Sequence, residues 1–365
     1  MKILILAEDY TKPNNLVSLH YIHSRNVLYL ENGIDVSVLS FRTDYDYEID
    51  GIKVYKYETY EKKLKEIKYD VLVCHAPNLK NHLRFLIKYS NSFNNIVFFF
   101  HGHEVLKTSK AYPKPYSYIK TQTLLWHFRK NIYDSIKLMV WRHYFKRIVY
   151  KSQFVFVSKW MYDMFIKFIE IDPKIINDRK HIIYNCVGKE FEINNYNPEA
   201  KKEYDFITIR NNLDGSKYGI DIVTKIAKNN PKYKFCIVGK GKFFQFNEKP
   251  DNVEWIDKNL NHKEIIELLN KSKCALLPTR ADSQGVMACE IATFGMPLIT
   301  SNIDVCKEIF EGFENVAFID NNDENIDIEP IFKKLQNIKM KEKNEKYFEK
   351  NTVSKEIELF RKLKR

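Results

Sequence analysis

Two carboxylates, Asp282 and Glu290, stand at the ends of a short run and are the best candidates for chemistry in this sequence. Residues 276–278, Leu-Leu-Pro, indicate the end of a strand, and the apolar spacing over 286–294 predicts a helix that Gly295 stops. The polar residues between them form the loop that joins strand to helix. Such a loop lies at the edge of a sheet, where side chains can meet a ligand.

This loop suits a ligand that carries both phosphate and sugar groups. A helix N-terminus at the carboxyl edge of a parallel sheet offers N–H groups and a partial positive charge to a phosphate. We expect Gln284, Gly285 and Val286 to offer those backbone groups, and Gly285 lets a ligand approach closely. Asp282 would then face sugar hydroxyls, and Glu290 would accept hydrogen bonds from a ribose. The alternative is that Asp282 caps the helix and Glu290 is a solvated helical residue.

The run resembles the E-x7-E signature of the retaining glycosyltransferases of family 4, commonly written EGFGLxxLE and followed by A-x-x-x-G-x-P. This chain has DSQGVMACE at 282–290, and Ala292, Gly295 and Pro297 follow at the matching positions. Asp282 replaces the usual Glu and is shorter, which leaves the sugar preference open. The resemblance implies transfer of a sugar from a nucleoside diphosphate with retention of configuration.

Two cations resemble the residues with which this family holds the donor diphosphate. Arg210 follows an apolar strand, and Lys217 precedes Tyr218-Gly219 at a spacing longer than the common form. Departure of a nucleoside diphosphate builds negative charge on phosphate oxygens, which preplaced cations stabilise. We therefore expect metal-independent chemistry without a cofactor, with the nucleoside diphosphate sugar as co-substrate. Either residue could instead be an ordinary surface cation.

His101 joins Asp282 as a candidate catalytic residue. The motif His101-Gly-His-Glu104 follows the apolar residues 96–100 and resembles the HG or HE that the family places opposite the donor sugar. His101 would hydrogen-bond the sugar or the pyrophosphate, whereas the alternative is a histidine that closes a strand end. His101, His103 and Glu104 on a turning segment do not supply a closed tetrahedral set, so we predict no metal site here.

Short apolar runs alternate with stretches of helical spacing along both halves of the chain. This alternation predicts parallel sheets covered by helices on both faces. We predict an α/β protein with two doubly wound, Rossmann-like domains that face a cleft, which is the GT-B type that the resemblance implies. The predicted strands are residues 2–7, 36–39, 71–74, 96–100 and 154–157, then 206–209, 235–238, 253–256, 274–277 and 298–300.

The polar stretch 194–203 has a proline and no apolar periodicity, which indicates a linker between the domains. We therefore predict an N-terminal, acceptor-side domain at 1–193 and a donor-binding domain at 194–345. Residues 346–365 have helical spacing, and we expect this helix to pack back on the N-terminal domain.

The chain of 365 residues has a formal net charge of +12 at pH 7. This charge favours an anionic neighbour, and nucleic acid, anionic lipid and sugar nucleotides all qualify. The six cysteines are scattered without paired spacing, which indicates thiols in a reducing compartment. The first residues lack a signal-peptide core, and no apolar run approaches ~18 residues. We expect a cytoplasmic protein, and one that can bind peripherally to the inner face of the plasma membrane.

The segment 114–151 concentrates the positive charge, and Asp134 is its one acidic residue. Aromatic residues interleave with its cations: Trp126, Phe128, Tyr133, Trp141, Tyr144, Phe145 and Tyr150. The pattern suits an anionic bilayer, where a lipid-linked saccharide acceptor would be presented. The alternative is surface helices whose aromatic side chains enter the core while the cations stay solvated. We expect no nucleic acid partner, because no recognition motif accompanies the charge.

Together these patterns favour a hexosyltransferase-type enzyme that moves a sugar from a nucleoside diphosphate to a glycan or lipid-linked saccharide acceptor in bacterial surface polysaccharide synthesis. Two alternatives stay open. One is a sugar-nucleotide epimerase of the same fold, which would need no acceptor. The other is a non-catalytic basic protein that binds a membrane surface.

Overall fold

The structure is a computed structural model that describes residues 1–12, 20–119, 124–323, 325–338 and 342–364. The described residues fall into two compact units. The first unit comprises Met1–Thr108, Lys130–Cys186 and Glu349–Arg365, and the second comprises Ser109–Arg129 and Val187–Phe348.

Strands and helices alternate through both units. The described strands are β1 (Lys2–Ala7), β2 (Asp35–Ser40), β3 (Tyr47–Ile49), β4 (Ile52–Tyr55), β5 (Val71–His75), β6 (Ile96–Phe100), β7 (Ser152–Phe156), β8 (Lys180–Ile182), β9 (Tyr204–Asn212), β10 (Phe235–Lys240), β11 (Val253–Ile256), β12 (Ser272–Leu277), β13 (Leu298–Ser301) and β14 (Val316–Ile319). The described α-helices are α1 (His20–Glu31), α2 (Tyr57–Thr59), α3 (Arg84–Tyr89), α4 (Thr108–Ala111), α5 (Leu124–Ile148), α6 (Lys159–Ile169), α7 (Pro173–Ile176), α8 (Lys189–Ile193), α9 (Ile220–Asn229), α10 (Phe243–Phe246), α11 (His262–Asn270), α12 (Val286–Phe294), α13 (Asp304–Ile309), α14 (Ile328–Gln336) and α15 (Val353–Lys364).

The described strands of the first unit form one eight-stranded sheet in the order β3-β4-β2-β1-β5-β6-β7-β8. Its pairs are parallel apart from the short antiparallel pair β3 and β4. The strands β5 and β6 are buried along their whole length, because helices cover both faces of the sheet.

The last helix, α15, packs into the core of the first unit through Val353, Ile357 and Phe360. Arg25 on α1 donates from Nε to Glu356 Oε1 on α15 at 3.0 Å, and both side chains are fully buried. A second Arg25 nitrogen donates to Asn185 Oδ1 at 2.6 Å. Because a buried ion pair needs such additional hydrogen bonds, this arrangement fixes α15 to one place on the unit.

The described strands of the second unit form a parallel six-stranded sheet in the order β11-β10-β9-β12-β13-β14. The chain builds outward from β9 in one direction and then returns to add β12 on the other side. This reversal is the topological switch point of a doubly wound sheet, where the carboxyl ends of β9 and β12 leave a crevice. The predicted fold class of two parallel-sheet α/β domains is confirmed.

The two compact units differ from the predicted ranges 1–193, 194–345 and 346–365 chiefly in the place of residues 109–129, and their other boundaries shift by a few residues. Residues 109–129, predicted as part of the first domain, are grouped with the second unit, because Tyr116 and Tyr118 pack against Phe243 there. The second unit resumes at Val187, and residues 349–364 are grouped with the first unit. Within the described part of the chain, no helix has the length and apolar character needed to cross a lipid bilayer.

Candidate functional site

Arg210 lies near the carboxyl end of β9, at the switch point of the second sheet. Its side chain is only 8% exposed, and one terminal nitrogen donates to the carbonyl oxygen of Pro278 at 2.9 Å. Its Nε is buried and has no hydrogen-bond partner among the described residues. Burial lowers the pKa of Arg210, and the Asp282 carboxylate acts against that shift. A buried cation with an unmatched donor is costly unless an anion pairs with it.

Gly239 makes room for the backbone at Arg210. It adopts a φ of +145°, and the register between β9 and β10 shifts there. A Cβ atom at this position would lie 1.9 Å from the carbonyl oxygen of Arg210. Only glycine fits, because any side chain would push β10 away from β9.

Lys217 lies in the loop between β9 and α9, within a 3-10 turn at Ser216–Tyr218. Its backbone oxygen accepts hydrogen bonds from Arg280 N at 2.7 Å and from Thr279 Oγ1 at 3.0 Å. Its ammonium group lies 4.8 Å from the centre of the Tyr218 ring. These contacts tie the loop of Lys217 to the segment that follows β12.

Asp282 shapes the loop that precedes α12. Its Oδ1 accepts from the backbone N–H of Ser283 at 2.8 Å and of Gln284 at 3.4 Å. The N-cap of α12 is Gly285, with φ of +74° and, in the described structure, no side-chain hydrogen bond to the helix. Asp282 therefore braces the loop and is not the helix cap of the alternative interpretation. Because a helix leaves its first backbone N–H groups without intrahelical partners, those at the start of α12, including that of Val286, can donate to another acceptor.

A small cavity brings part of the predicted site together. Its lining includes Arg210, Asp282, Gln284 and Gly285. Of the described residues predicted for the site in this unit, Lys217, Val286 and Glu290 do not line it. The lining also includes Thr279 and Thr300, which are not among the residues predicted from the sequence. Both follow the apolar residues of neighbouring parallel strands, and this position is the signal that could have identified them.

Glu290 lies on α12 and is 4% exposed, so it is not a solvated helical residue. Its Oε1 accepts from the backbone N–H of Gly188 at 3.1 Å and lies 3.6 Å from His262 Nε2. His262 Nδ1 also lies 3.3 Å from Glu190 Oε2. Burial raises the pKa of Glu290, and His262 counteracts the shift. The predicted site did not include Gly188 or His262.

His101 belongs to the first unit and follows β6. Its Nε2 lies 3.0 Å from Nδ1 of His75, the last residue of the neighbouring strand β5. Burial lowers the pKa of both imidazoles well below the usual value, so both rings are neutral at pH 7. The backbone N–H groups of His101 and Gly102 donate to Glu104 Oε1, which holds the turn. His75 was not predicted, although its place at the end of β5 could have identified it.

Among the described residues, no group of three or more His, Cys, Asp or Glu side chains is arranged to hold a metal ion. His103 Nδ1 lies 3.9 Å from Glu104 Oε2, and the His103 side chain is largely exposed. Metal independence of the chemistry stays a prediction.

Sequence comparison with known proteins finds similarity over part of the chain. Residues 191–353 match the family model described as "Glycosyl transferases group 1". Over 148 residues the chain is 26% identical to the O-antigen biosynthesis glycosyltransferase WclY of Escherichia coli. That alignment covers 36% of this chain and 40% of WclY, so the chain matches less than half the length of that relative.

The structural similarity extends over the whole chain. Sucrose-phosphate synthase from Thermosynechococcus elongatus has a TM-score of 0.68 at 12% identity, over 99% of this chain and 98% of that one. The HepE protein of Anabaena, solved in complex with UDP and glucose, has a TM-score of 0.60 at 12% identity, over 92% of each chain. The chain therefore has the fold of the GT-B glycosyltransferases, and its match to the model of glycosyl transferases group 1 lies almost entirely in the second unit.

Proposed function

We propose that this protein is a retaining glycosyltransferase that moves a sugar from a nucleoside diphosphate donor to a glycan acceptor in bacterial surface polysaccharide synthesis. One observation carries the proposal. The buried Arg210, with an unmatched Nε, shares a cavity with Asp282 at the switch point of a sheet whose sequence matches glycosyltransferases of group 1. An incoming diphosphate would supply the anion that this cation lacks.

The side chains of the second unit then take distinct roles around the donor. Arg210 and Lys217 neutralise the charge that grows on the diphosphate as the bond to the sugar breaks. The backbone N–H groups at the start of α12 bind phosphate oxygens. The Asp282 carboxylate is held in place by hydrogen bonds that it accepts from backbone N–H groups of its loop. It also accepts hydrogen bonds from the sugar hydroxyls. Glu290 receives them from the ribose.

His101 keeps the role that its motif implies, a hydrogen bond to the sugar or the pyrophosphate. Its neutral ring, paired with His75, suits hydrogen bonding rather than charge neutralisation. Retention of configuration is proposed from the E-x7-E resemblance. Departing phosphate would help to deprotonate the acceptor on the same face of the sugar. Metal-independent action is part of the proposal, because Arg210 and Lys217 supply the positive charge.

Two relatives support the choice of donor and process. The name of WclY assigns it to O-antigen biosynthesis, and HepE was solved with UDP and glucose. We therefore propose a nucleoside diphosphate sugar as donor and a surface glycan, lipid-linked during its assembly, as acceptor. The base, the sugar and the linkage are left to experiment.

The helix α5 supports a membrane-bound acceptor. Ile132, Tyr133, Ile136 and Met139 are each more than two fifths exposed, and their spacing places them along one side of the helix. Lys146 and Arg147 are exposed further along. In contrast, Trp141, Tyr144 and Phe145 are buried, so part of the aromatic series does enter the core. We propose that the exposed side lies on an anionic membrane at the cytoplasmic face. Lys120, in the same segment, lies outside the described residues.

A thermal-shift screen with UDP-, ADP- and GDP-sugars tests the donor assignment. We expect at least one to raise the melting temperature by a few degrees at saturating concentration. Arg210→Met should weaken its binding about 100-fold, equivalent to ~2.7 kcal/mol, because a charged hydrogen bond to phosphate is lost. Lys228→Met, on an exposed face of the same unit, should leave binding unchanged.

The reaction itself is tested by incubating the bound donor with extracted lipid-linked saccharides and assigning the anomeric configuration of the product by NMR. Inverted product would contradict retention. Turnover of the donor without any acceptor would instead favour the epimerase alternative. Failure of every sugar nucleotide to bind would contradict the proposed function as a whole.

A further inference from the structure

Residues 112–118, here called the tyrosine strap, belong to the second unit although the chain on either side of 109–129 belongs to the first. The strap is anchored by stacked aromatic rings. The ring of Tyr116 meets Phe243 edge-on at 5.2 Å between centroids, and Tyr118 stacks on Phe246 at 4.7 Å. Tyr116 and Tyr118 also stack on each other at 5.7 Å.

The two hydroxyl groups of the strap reach the ends of the loop that carries Lys217. Tyr118 donates to Asp214 Oδ1 at 2.8 Å, and Tyr116 donates to Asp221 Oδ1 at 2.8 Å. Asp214 lies three residues before Lys217, and Asp221 lies four residues after it. The strap therefore holds this loop, residues 214–221, at both ends.

Each carboxylate has further partners that fix it in the fold. Asp214 accepts from the backbone N–H of Lys242 with both oxygens, at 2.9 and 3.0 Å. Asp221 pairs with Arg280 through two contacts of 2.8 and 2.6 Å. Burial acts to raise the pKa of Asp221, but hydrogen bonds from Arg280 and Tyr116 outweigh it and lower that pKa. Both strap hydroxyls thus donate to anchored carboxylates, and such hydrogen bonds are the strong ones.

Lys217 itself is placed among the aromatic rings of this arrangement. Its Nζ lies 4.8 Å from the ring centre of Tyr218 and 5.6 Å from that of Tyr112 in the strap. A lysine side chain on a flexible loop loses conformational freedom when it binds a phosphate. A loop held at both ends, with rings beside the side chain, loses less of that freedom on binding.

We propose that Tyr116 and Tyr118 are positioning residues that hold the loop 214–221 in the shape in which Lys217 meets the donor diphosphate. This inference rests on the proposed function, because it gives Lys217 the same ligand. The strap touches the loop and not the diphosphate, so its loss should act on donor affinity through Lys217.

The test is a cycle of variants read out by calorimetric titration. Whichever of UDP, ADP and GDP binds the wild type most tightly serves as the probe. Tyr116→Phe with Tyr118→Phe removes two hydroxyls and keeps the rings on Phe243 and Phe246. We expect this double variant to bind the probe about tenfold more weakly, with a higher donor KM and little change in kcat.

The decisive comparison uses Lys217→Ala as a second background. If the strap acts through Lys217, the double variant should cost no further affinity in that background. Tyr196→Phe is the matched control, because Tyr196 donates its hydroxyl to Ser272 O at 2.7 Å elsewhere in the same unit. It should bind the probe as the wild type does.

The possible failures are distinguishable. If the wild type binds none of the three diphosphates, the proposed function falls and this inference falls with it. If the wild type binds but the double variant binds equally well, only the positioning role is overturned. The positioning role is also overturned if the double variant lowers affinity for the probe equally in the wild-type and Lys217→Ala backgrounds. It is overturned as well if Lys217→Ala alone binds the probe as tightly as the wild type does.

Discussion

Glu290 is a carboxylate buried between backbone and imidazole, and this setting gives it a distinct pH dependence. Burial raises its pKa above the usual 4.5, so the folded protein holds this proton to a higher pH than the unfolded chain does. Its contribution to stability is therefore complete below pH 4.5 and is lost as the pH rises through the folded-state pKa. The ionised carboxylate therefore costs stability near neutral pH, which is compatible with the ligand-binding role proposed for Glu290.

Replacing Glu290 by glutamine tests this sign. Glutamine cannot ionise and still offers an oxygen to the N–H of Gly188. The wild type should lose stability as the pH rises from 4.5 towards neutral, whereas Glu290→Gln should not. We therefore expect the free energy of unfolding of Glu290→Gln to increase relative to that of the wild type over this pH range. Urea unfolding over that pH range measures the difference, and Glu267→Gln, at an exposed position of α11, should show none. If Glu290→Gln instead became less stable than the wild type as the pH rises, the effect of His262 on the pKa of Glu290 would outweigh the effect of burial.

For single residues, the sequence predicts the members of the candidate site better than it predicts the contacts that those residues make. The spacing of Asp282, Gly285 and Glu290 follows from one strand, loop and helix, which are local in the chain. The partner of Glu290, Gly188, is 102 residues away, and no local pattern reports such a contact. The same holds for His75 beside His101, because pairing between two strands decides it.

At the scale of elements, strands that form continuous apolar runs are predictable from the sequence, and short, partly buried strands are predicted less well. Central strands such as β5 and β6 are buried on both faces and read as continuous apolar runs. The missed strands are β3, β4, β8 and β14, and most of their residues are only partly buried or exposed, whereas the edge strand β11 is predicted correctly at 253–256. The tyrosine strap escapes prediction for a related reason, since it has no periodicity of its own.

Gly239 gives a sharp prediction about the packing of two strands. Gly239→Ala would place a methyl group 1.9 Å from the carbonyl oxygen of Arg210, on a backbone with φ of +145°. We expect a loss of at least about 2 kcal/mol in the free energy of unfolding, together with weaker nucleotide binding as Arg210 shifts. Chemical denaturation and calorimetric titration measure the two effects.

Gly295→Ala is the matched control for this strand packing. Gly295 also has a positive φ, of +90°, but open space surrounds the position of its missing Cβ. Its substitution should cost only about 1 kcal/mol from backbone strain and should leave nucleotide binding intact. Equal effects of the two substitutions would show that the approach of β10 to Arg210 is not what requires glycine.

At the scale of the whole molecule, the net charge of +12 and the exposed side of α5 predict selective membrane binding. We expect the protein to sediment with vesicles that contain phosphatidylglycerol and not with phosphatidylcholine alone. Lys146→Glu with Arg147→Glu should weaken this binding about 30-fold or more, since each cation near an anionic surface contributes ~1 kcal/mol. Added salt should weaken it further.

The exposed apolar side chains of α5 should contribute to vesicle binding independently of the charges. Ile132→Ser with Ile136→Ser should lower vesicle binding without changing its dependence on salt, because these side chains carry no charge. Ile87→Ser, at an equally apolar but isolated position that is 67% exposed, should have no effect. Full binding by the Ile132 and Ile136 variant would leave charge alone as the attraction.

The order in which the chain is synthesised gives α15 a further consequence. The first unit needs Val353, Ile357 and Phe360 for its core and Glu356 as the partner of Arg25, so it is incomplete until the ribosome has made these residues. The second unit has all of its segments by residue 348. We therefore expect the core of the first unit to close only after α15 has been synthesised, and the apolar surface of its earlier strands is exposed to chaperones until then.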